Sequence, residues 1–207
     1  MAVYFIDANV LFIHIPKTGG TWVERAAQQA NLRIVRVPER TTRKLHKHLT
    51  RDRYGYDGAL SWTVVRRPDE WYVSWYRYAL ARDWPAYREL VDHPQSCLAD
   101  CAAPSFEQFI ERCLSKHRGY LSAMYAKYTA GVDFIGATEN LPSDFRRMLE
   151  PRLSLPALDP TPVHVANSAR PSWPAGLREQ LLAAEQDAMQ LWEAALAGGQ
   201  WRRPRAA

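Results

Sequence analysis

The segment "LFIHIPKTGGTWV", residues 11–23, decides the fold that this sequence predicts. An apolar run is followed by a proline, a lysine, a threonine and two glycines, and apolar residues then recur at helical spacing from Thr21. A short apolar run is consistent with a buried parallel strand, and the later spacing favours a helix. The segment therefore predicts a strand, a tight loop containing two glycines, and a helix in direct succession.

Strands and helices alternate along the rest of the chain in the same way. Strands are predicted at 10–15, 33–37, 60–65 and 132–137, and helices at 106–114, 120–128, 141–150 and about 175–197, besides those that begin at Thr21 and Pro68. The N-terminal stretch MAVYFIDANVLFIHI predicts a first strand and not a signal peptide, because it lacks a positive leading region. This order predicts one α/β domain over residues 1–207, a three-layer sandwich around a central, mainly parallel sheet.

Composition narrows the class of protein. Hydrophobic residues make up 47% and charged residues 24% of the 207 positions, as in ordinary globular chains. No apolar run reaches the roughly 18 residues of a membrane span. Cys97, Cys101 and Cys113 are too few for a disulfide framework, and Cys97 with Cys101 lacks a second pair for zinc. We expect no metal and a cytoplasmic location.

The net charge of +5 suits a polyanionic ligand. Much of the excess lies in residues 33–53, where eight lysines and arginines face one glutamate and one aspartate. A solvated basic surface or a nucleic-acid-binding surface would have the same composition. No DNA- or RNA-reading motif accompanies the basic residues, so we do not expect nucleic acid as the partner.

The loop at residues 16–21 has the chemistry of an anion site. In a parallel sheet, ligands bind beyond the carboxyl ends of the strands, where helix N-termini offer unpaired N–H groups. Here the lysine precedes the glycines, so the loop is P-loop-like but does not match the Walker order. The residues predicted to bind phosphate are Lys17, Thr18, Gly19, Gly20, Thr21 and Trp22.

The order strand–PKTGGT–helix closely resembles the 5′-phosphosulfate loop of sulfotransferases that use 3′-phosphoadenosine 5′-phosphosulfate (PAPS). HIPKTGGT is most similar to the branch that acts on carbohydrates and to its bacterial relatives. A second segment, VVRRPDEWYVSWYR at 64–77, has the spacing of Arg66, Pro68 and Ser74 that resembles the family's 3′-phosphate motif. The resemblance implies that Arg66 and Ser74 bind the 3′-phosphate. Arg67 departs from the family's frequent asparagine and could compete with Arg66; Trp71 also departs.

Two further stretches resemble the family, so that the likeness spans roughly residues 10–190. FIGATENLPSDF, at 134–145, is similar to a segment to which we assign a mainly structural role, with Glu139 and Asn140 at a turn before a helix. HVANSAR, at 164–170, resembles the late loop that closes over the cofactor. This weaker match implies cofactor contacts from Asn167, Ser168 and Arg170.

Histidine is the residue type best suited to accept the acceptor's proton near neutral pH. The stretch KLHKHLT, at 44–50, resembles the segment where uronosyl 2-O and 6-O sulfotransferases and bacterial relatives place a catalytic histidine. The resemblance implies His48 as the base and His46 as its helper or as a substrate contact. The alternative is that both belong to a basic surface. His14 is expected to be a hydrogen-bonded residue at a strand end, and the remaining histidines are expected on the surface.

Aromatic residues are frequent in and just after the second motif. At helical spacing, Trp71, Trp75 and Tyr78 share roughly one face, which favours core packing over a stacking platform for a sugar or aromatic acceptor.

The resemblance implies a sulfotransferase that moves a sulfuryl group from PAPS to a hydroxyl or amine of a saccharide or small-metabolite acceptor. The transfer is in line, uses Lys17 and a histidine base, and needs no metal. One alternative is a nucleotide kinase-like phosphate-loop enzyme. The loop does not have the Walker order of glycines and lysine, which argues against this alternative. The other is a non-catalytic nucleotide- or nucleic-acid-binding protein. The sequence leaves open the acceptor and the oligomeric state.

Overall fold

A mixed six-stranded sheet forms the centre of the computed structural model, which describes residues 2–37, 51–53, 55–56, 58–84, 94–159, 161 and 169–201. The strands are β1 (Ala2–Phe5), β2 (Val10–Phe12), β3 (Ile34–Val37), β4 (Leu60–Val65), β5 (Phe134–Ala137) and β6 (Gln200–Trp201), in the order β3-β1-β2-β4-β5-β6. β2–β4 and β4–β5 pair in parallel, whereas β1 is antiparallel to both of its neighbours and β6 is antiparallel to β5. Strands β2, β3, β4 and β5 therefore share one direction, which confirms a mainly parallel sheet.

The prediction of one N-terminal strand was wrong. The stretch forms a hairpin, in which Phe5 pairs with Val10 across a turn over residues 6–9. Asn9 adopts the left-handed conformation with φ 51°. Asparagine tolerates this conformation better than most residues, so the polar turn divides what the apolar pattern presents as one run.

Helices cover both faces of the sheet. They are α1 (Gly20–Gln29), α2 (Pro68–Leu80), α3 (Pro94–Cys97), α4 (Phe106–Lys116), α5 (Tyr120–Thr129), α6 (Leu141–Leu149), α7 (Leu177–Ala184) and α8 (Gln186–Leu196). Pro68 occupies the first turn of α2, and the Ser105 hydroxyl caps α4 by accepting from the Gln108 N–H at 3.2 Å. Within the described ranges, no helix has the length and apolar character needed to cross a membrane.

Side-chain alternation along β2 divides the core into two layers. Val10 and Phe12 face one side and pack in a cluster with residues of α1 and α6. Leu11 and Ile13 face the other side, in a larger cluster with residues of α2, α4, α5, α7 and α8. Because successive strand residues point to opposite faces, one apolar run serves both layers. The arrangement agrees with the predicted three-layer sandwich.

The predicted C-terminal helix is interrupted. Helix α7 ends at Ala184 and α8 begins at Gln186, with Glu185 between them at φ −109° and ψ 33°. The Glu185 side chain is fully buried and accepts hydrogen bonds from the N–H groups of Leu121 and Ser122 at 3.1 and 2.8 Å. These are early N–H groups of α5, which have no partner inside their own helix. The break in the C-terminal helix thus caps another helix.

Candidate functional site

The parallel strands bring the two predicted phosphate motifs to one edge of the sheet. β2 pairs with β4 in the register Phe12↔Trp62, and β4 pairs with β5 in the register Trp62↔Phe134. The loop with Lys17 follows β2, Arg66 follows β4 directly, and Glu139 follows β5. Since the carboxyl ends of neighbouring parallel strands lie together, this edge is the expected ligand position of an open α/β sheet.

The loop after β2 turns sharply at two residues with positive φ. Lys17 has φ 66° and Gly19 has φ 94°, and the former is a conformation that lysine adopts rarely. Between them Thr18 is fully buried, and its hydroxyl donates to the Ile15 carbonyl at 2.9 Å. Thr18 thereby fixes the loop that directs Lys17 out of the strand.

Close neighbours require both glycines of this loop. A Cβ on Gly19 would lie 2.7 Å from Cδ2 of Leu141, and one on Gly20 would lie 2.2 Å from the His14 ring. The imidazole of His14 therefore lies against the first residue of α1. The structure places this histidine beside the loop.

Backbone N–H groups collect at the start of α1. The N–H of Trp22 donates to the Gly19 carbonyl at 2.9 Å. In the described part of the chain, no backbone acceptor is found for four N–H groups, those of Lys17, Gly19, Gly20 and Thr21. Such groups at a helix N-terminus attract an anion.

Trp22 does not fit the predicted phosphate contact. Its indole is buried against the ring of Phe145 at 5.6 Å, and its Nε1–H donates to the Asp159 carbonyl at 3.2 Å. With its backbone N–H bonded to Gly19, both donors of Trp22 are already used. The residue anchors α1 in the core.

Lys17 is a half-buried cation among other cations. Its Nζ lies 4.3 Å from the centroid of the Tyr78 ring. Burial, together with the positive charges of Arg66 and Arg82, lowers the pKa of Lys17 from 10.5 to about 8. Lys17 and Arg66 are therefore close enough for their charges to interact. A ligand that binds both predicted phosphate motifs requires this proximity. A bound anion would relieve their repulsion.

The hydroxyl of Tyr125 holds the backbone of Arg66 at the end of β4. The Tyr125 hydroxyl accepts from the Arg66 N–H at 2.9 Å and lies 2.8 Å from the Arg66 carbonyl oxygen, to which it donates. Tyr125 is buried, and burial raises the pKa of its phenol above the ordinary value. This clamp fixes the start of the Arg66 side chain, whose guanidinium is the predicted ligand of the 3′-phosphate.

Arg170 joins Arg66 on the carboxylate of Glu70. Arg66 Nη2 lies 3.6 Å from Glu70 Oε2, and Arg170 forms a second ion pair with the same side chain. The late loop therefore contributes Arg170 to this site, whereas Asn167 and Ser168 lie outside the described residues. Two guanidinium groups that share one carboxylate form a place where a dianion could bind.

One face of α2 lines the site. Glu70, Ser74 and Tyr78 are spaced four residues apart and are half-buried, while Trp71 and Trp75 are buried behind them. Residues four apart lie on one face of a helix, so Ser74 lies between the arginine-bound Glu70 and the lysine-bound Tyr78. The prediction of core packing is thus confirmed for Trp71 and Trp75, whereas the ring of Tyr78 contacts Lys17.

The two departures from the family motif have structural contacts. Arg67 Nε lies 3.2 Å from the buried carboxylate of Asp69, and its guanidinium lies 5.4 Å from the Trp192 ring centroid. The Trp71 indole donates to the Pro16 carbonyl at 2.8 Å, which joins α2 to the loop before Lys17. Both residues support the site from behind.

Several predicted residues cannot be placed in this geometry. His46, His48, His93 and His164 lie outside the described residues, as does most of the basic segment. Of that segment, Arg33 pairs with Asp7, Arg36 Nε lies 3.1 Å from Glu24, and Arg51 donates to the Tyr56 carbonyl at 3.0 Å. These three side chains therefore have partners within the protein.

A cluster outside this site includes Cys101, which was considered above as a zinc ligand, and His117, which was expected on the surface. Donor atoms of Asp100, Cys101 and His117 lie within 4.8 Å of one another. The Asp100 carboxylate already contacts His117 Nε2 at 2.8 Å and Lys116 Nζ at 3.4 Å, and the pKa of Asp100 is lowered. The arrangement has the character of an ion-pair cluster.

The segment 134–145 makes contacts inside the fold. Glu139 accepts from the Trp192 indole at 3.2 Å, and Asn140 Nδ2 donates to the Leu196 carbonyl at 2.9 Å. Asp144 is buried against Gly136, where an added Cβ would lie 2.1 Å from Asp144 Oδ2. Arg147 Nη1 lies 3.5 Å from Asp144, and the Ala137 N–H points toward the carboxylate without forming a hydrogen bond of normal geometry.

Burial raises the pKa of Asp144 from 3.8 to about 6, although Arg147 and the Ala137 N–H oppose the change. The folded protein then binds more protons than the unfolded chain between those pH values, so stability falls as pH rises through them. The difference corresponds to about 3 kcal/mol. Urea unfolding from pH 3.5 to 7 should therefore show Asp144→Asn more stable than the wild type at pH 7 and equal to it at pH 3.5.

The exposed Asp187→Asn substitution removes the same charge and serves as the control for this experiment. Its curve should follow that of the wild type at every pH. A pH dependence between 4 and 6 that is identical in Asp144→Asn and the wild type would contradict the assignment to Asp144.

Glu70, Tyr78, Arg82 and Tyr125 belong to the site but were not predicted as site residues. Three of them could have been found by extending the spacing of Ser74 along its helix, because residues 70, 78 and 82 follow the same four-residue step. Tyr125 comes from another helix and carries no such signal. Comparisons with protein-family models, with curated proteins and with solved structures returned no match.

Proposed function

We propose that this protein is a sulfotransferase that uses PAPS as its donor. The observation that supports the proposal most is the convergence of Lys17 and Arg66 at the ends of two adjacent parallel strands, close enough for their charges to repel. At this site Lys17, Arg66 and Arg170 outnumber the carboxylate of Glu70 that pairs with the two arginines, and an excess of cations favours an anionic ligand. A donor with negative groups at two positions would use both motifs at once.

The residues present suit the two charged ends of such a donor. The N–H groups at the start of α1 and the Lys17 ammonium would hold the 5′-phosphosulfate. Arg66 and Arg170 would hold the 3′-phosphate, in exchange for their contacts with Glu70, with the Ser74 hydroxyl on the same helix face. Before the donor binds, Glu70 forms ion pairs with both arginines. These ion pairs must break when the arginines bind the 3′-phosphate.

The donor supplies a sulfuryl group to the acceptor's oxygen or nitrogen, forming an O–S or N–S bond while the bridging bond from sulfur to the 5′-phosphate oxygen breaks. The electron pair of the broken bond stays on the phosphate, and the acceptor's proton passes to a base. Lys17, with a pKa of about 8, is mainly protonated at neutral pH and stabilises the charge that develops on the bridging oxygen. His48 remains our proposed base and His46 its helper, on the resemblance of their segment. A saccharide or small metabolite remains the proposed acceptor.

The test is a calorimetric titration of the intact protein with 3′-phosphoadenosine 5′-phosphate (PAP), AMP and ATP. Each charge-assisted hydrogen bond contributes about 1.5–3 kcal/mol, so two arginines on the 3′-phosphate predict a preference for PAP over AMP that exceeds about 100-fold. Equal affinity for PAP and AMP would overturn the proposal. Tighter, magnesium-dependent binding of ATP with turnover would favour a kinase-like enzyme instead.

A further inference from the structure

Two cations contact the ring of Tyr78. Lys17 Nζ is 4.3 Å from the ring centroid, and the guanidinium carbon of Arg82 is 4.2 Å from it. Arg82 also donates a hydrogen bond to the Tyr78 hydroxyl. The aromatic face attracts both cations and so holds two like charges close together at the end of α2.

Arg82 is placed by the turn that ends α2. Its N–H donates to the Ala79 carbonyl at 3.1 Å, so the residue lies in the turn just beyond Leu80, the last residue of α2, and its guanidinium contacts the Tyr78 ring. The side chain is exposed, so its guanidinium keeps donors available to a ligand. The positive charge of Arg82 is also one of the causes that lower the pKa of Lys17. Arg82 and Lys17 therefore act on the same small volume.

The two ends of the α2 face differ in how their charge is balanced. Near Arg66 and Arg170, Glu70 supplies a compensating carboxylate. At the other end, Lys17 and Arg82 contact the Tyr78 ring, and neither cation forms an ion pair with a carboxylate among the described residues. Within the described part of the chain, the positive charge at the Lys17 end is therefore not balanced by an ion pair, which favours an anionic group there.

We propose that Arg82, positioned by Tyr78, is a further binding residue for the sulfuryl group of the donor. This inference rests on the proposed function and deepens it. The Lys17 ammonium faces the bridging oxygen, and the planar fork of Arg82 binds terminal sulfuryl oxygens, which match its geometry better than a point charge does. The 3′-phosphate, bound at the opposite end of the helix face, does not contact Arg82.

The experiment compares two ligands that differ by the sulfuryl group. Calorimetry without acceptor measures the affinities of PAPS and PAP for the wild type, Arg82→Ala and a matched control, Arg77→Ala, which removes the same charge from the last turn of α2. For Arg82→Ala we expect PAPS affinity to fall about 10- to 100-fold, and PAP affinity to change less than about twofold. Arg77→Ala should leave both affinities near those of the wild type.

The outcomes separate this inference from the proposed function. If the wild type binds PAP no better than AMP, the proposed function fails and the inference fails with it. If PAP binding is strong but Arg82→Ala weakens PAP and PAPS equally, or neither, Arg82 is not a sulfuryl ligand and the proposed function stands. A Tyr78→Phe variant keeps the ring and loses the hydroxyl contact; it should weaken PAPS binding less than Arg82→Ala does. A thermal melt confirms that each variant is folded.

Discussion

Replacing Arg66 by alanine is expected to abolish the preference for a 3′-phosphorylated nucleotide. PAP affinity should fall about 100-fold or more, because a two-pronged, charge-assisted contact is lost and Glu70 and Arg170 remain paired without it. AMP lacks the 3′-phosphate, so its affinity should change little. Calorimetric titration of both nucleotides measures the two constants in the same variant.

Arg67→Ala is the matched control, because it removes the same charge one residue further along. The Arg67 guanidinium pairs with Asp69 and lies over the Trp192 ring. We therefore expect Arg67→Ala to lose stability and to keep the preference for PAP over AMP. If Arg67→Ala lost the preference and Arg66→Ala kept it, the 3′-phosphate would be bound by Arg67. Arg66 is anchored through its backbone by Tyr125, so the side-chain change leaves that clamp intact.

Replacing Glu185 by glutamine is expected to lower the free energy of unfolding by about 2–4 kcal/mol. One carboxylate oxygen accepts from the Tyr72 hydroxyl at 2.7 Å and from the Leu121 N–H, and the other accepts from the Ser122 N–H and hydroxyl at 2.8 and 2.7 Å. Glutamine has the same shape but presents an NH₂ group in place of one oxygen. Buried donors then face a donor and lose their acceptor.

Urea unfolding at pH 7 measures this loss, with the exposed Glu193→Gln on α8 as the control for the charge change. Glu193→Gln should unfold within about 0.5 kcal/mol of the wild type. Stability of Glu185→Gln equal to that of the wild type would show that water or a rearranged hydroxyl satisfies the donors. Because Glu185 caps α5, and α5 carries Tyr125, this buried carboxylate also supports the position of Arg66.

Local signals in the sequence were sufficient for most of the elements. The apolar runs at β4 and β5 and the helix spacing after Thr21 and Pro68 match the structure closely, because strand and helix periodicity depend on neighbours along the chain. The strand predicted at 10–15 is shorter in the structure, where β2 covers Val10–Phe12. The sequence did not predict that the strands before Lys17 and Arg66 are neighbours, because the strand at 33–37 lies between them in the chain; the pairing of β2 with β4 shows it. The N-terminal hairpin was missed because its polar turn is short, and the break at Glu185 was missed because the helical spacing continues across it.

The sequence by itself determined the α/β architecture, the loop of Lys17 and the strand-end position of Arg66, since each depends on residue type and short spacing. The tertiary structure alone decided which side chains complete the site. Arg170 reaches Glu70 from 100 residues away in the chain, and Tyr125 reaches Arg66 from 59 residues away. Such contacts depend on how helices pack on the sheet, and no local pattern records them. The same packing gives both donors of Trp22 partners within the fold and places Lys17 and Arg82 against the ring of Tyr78.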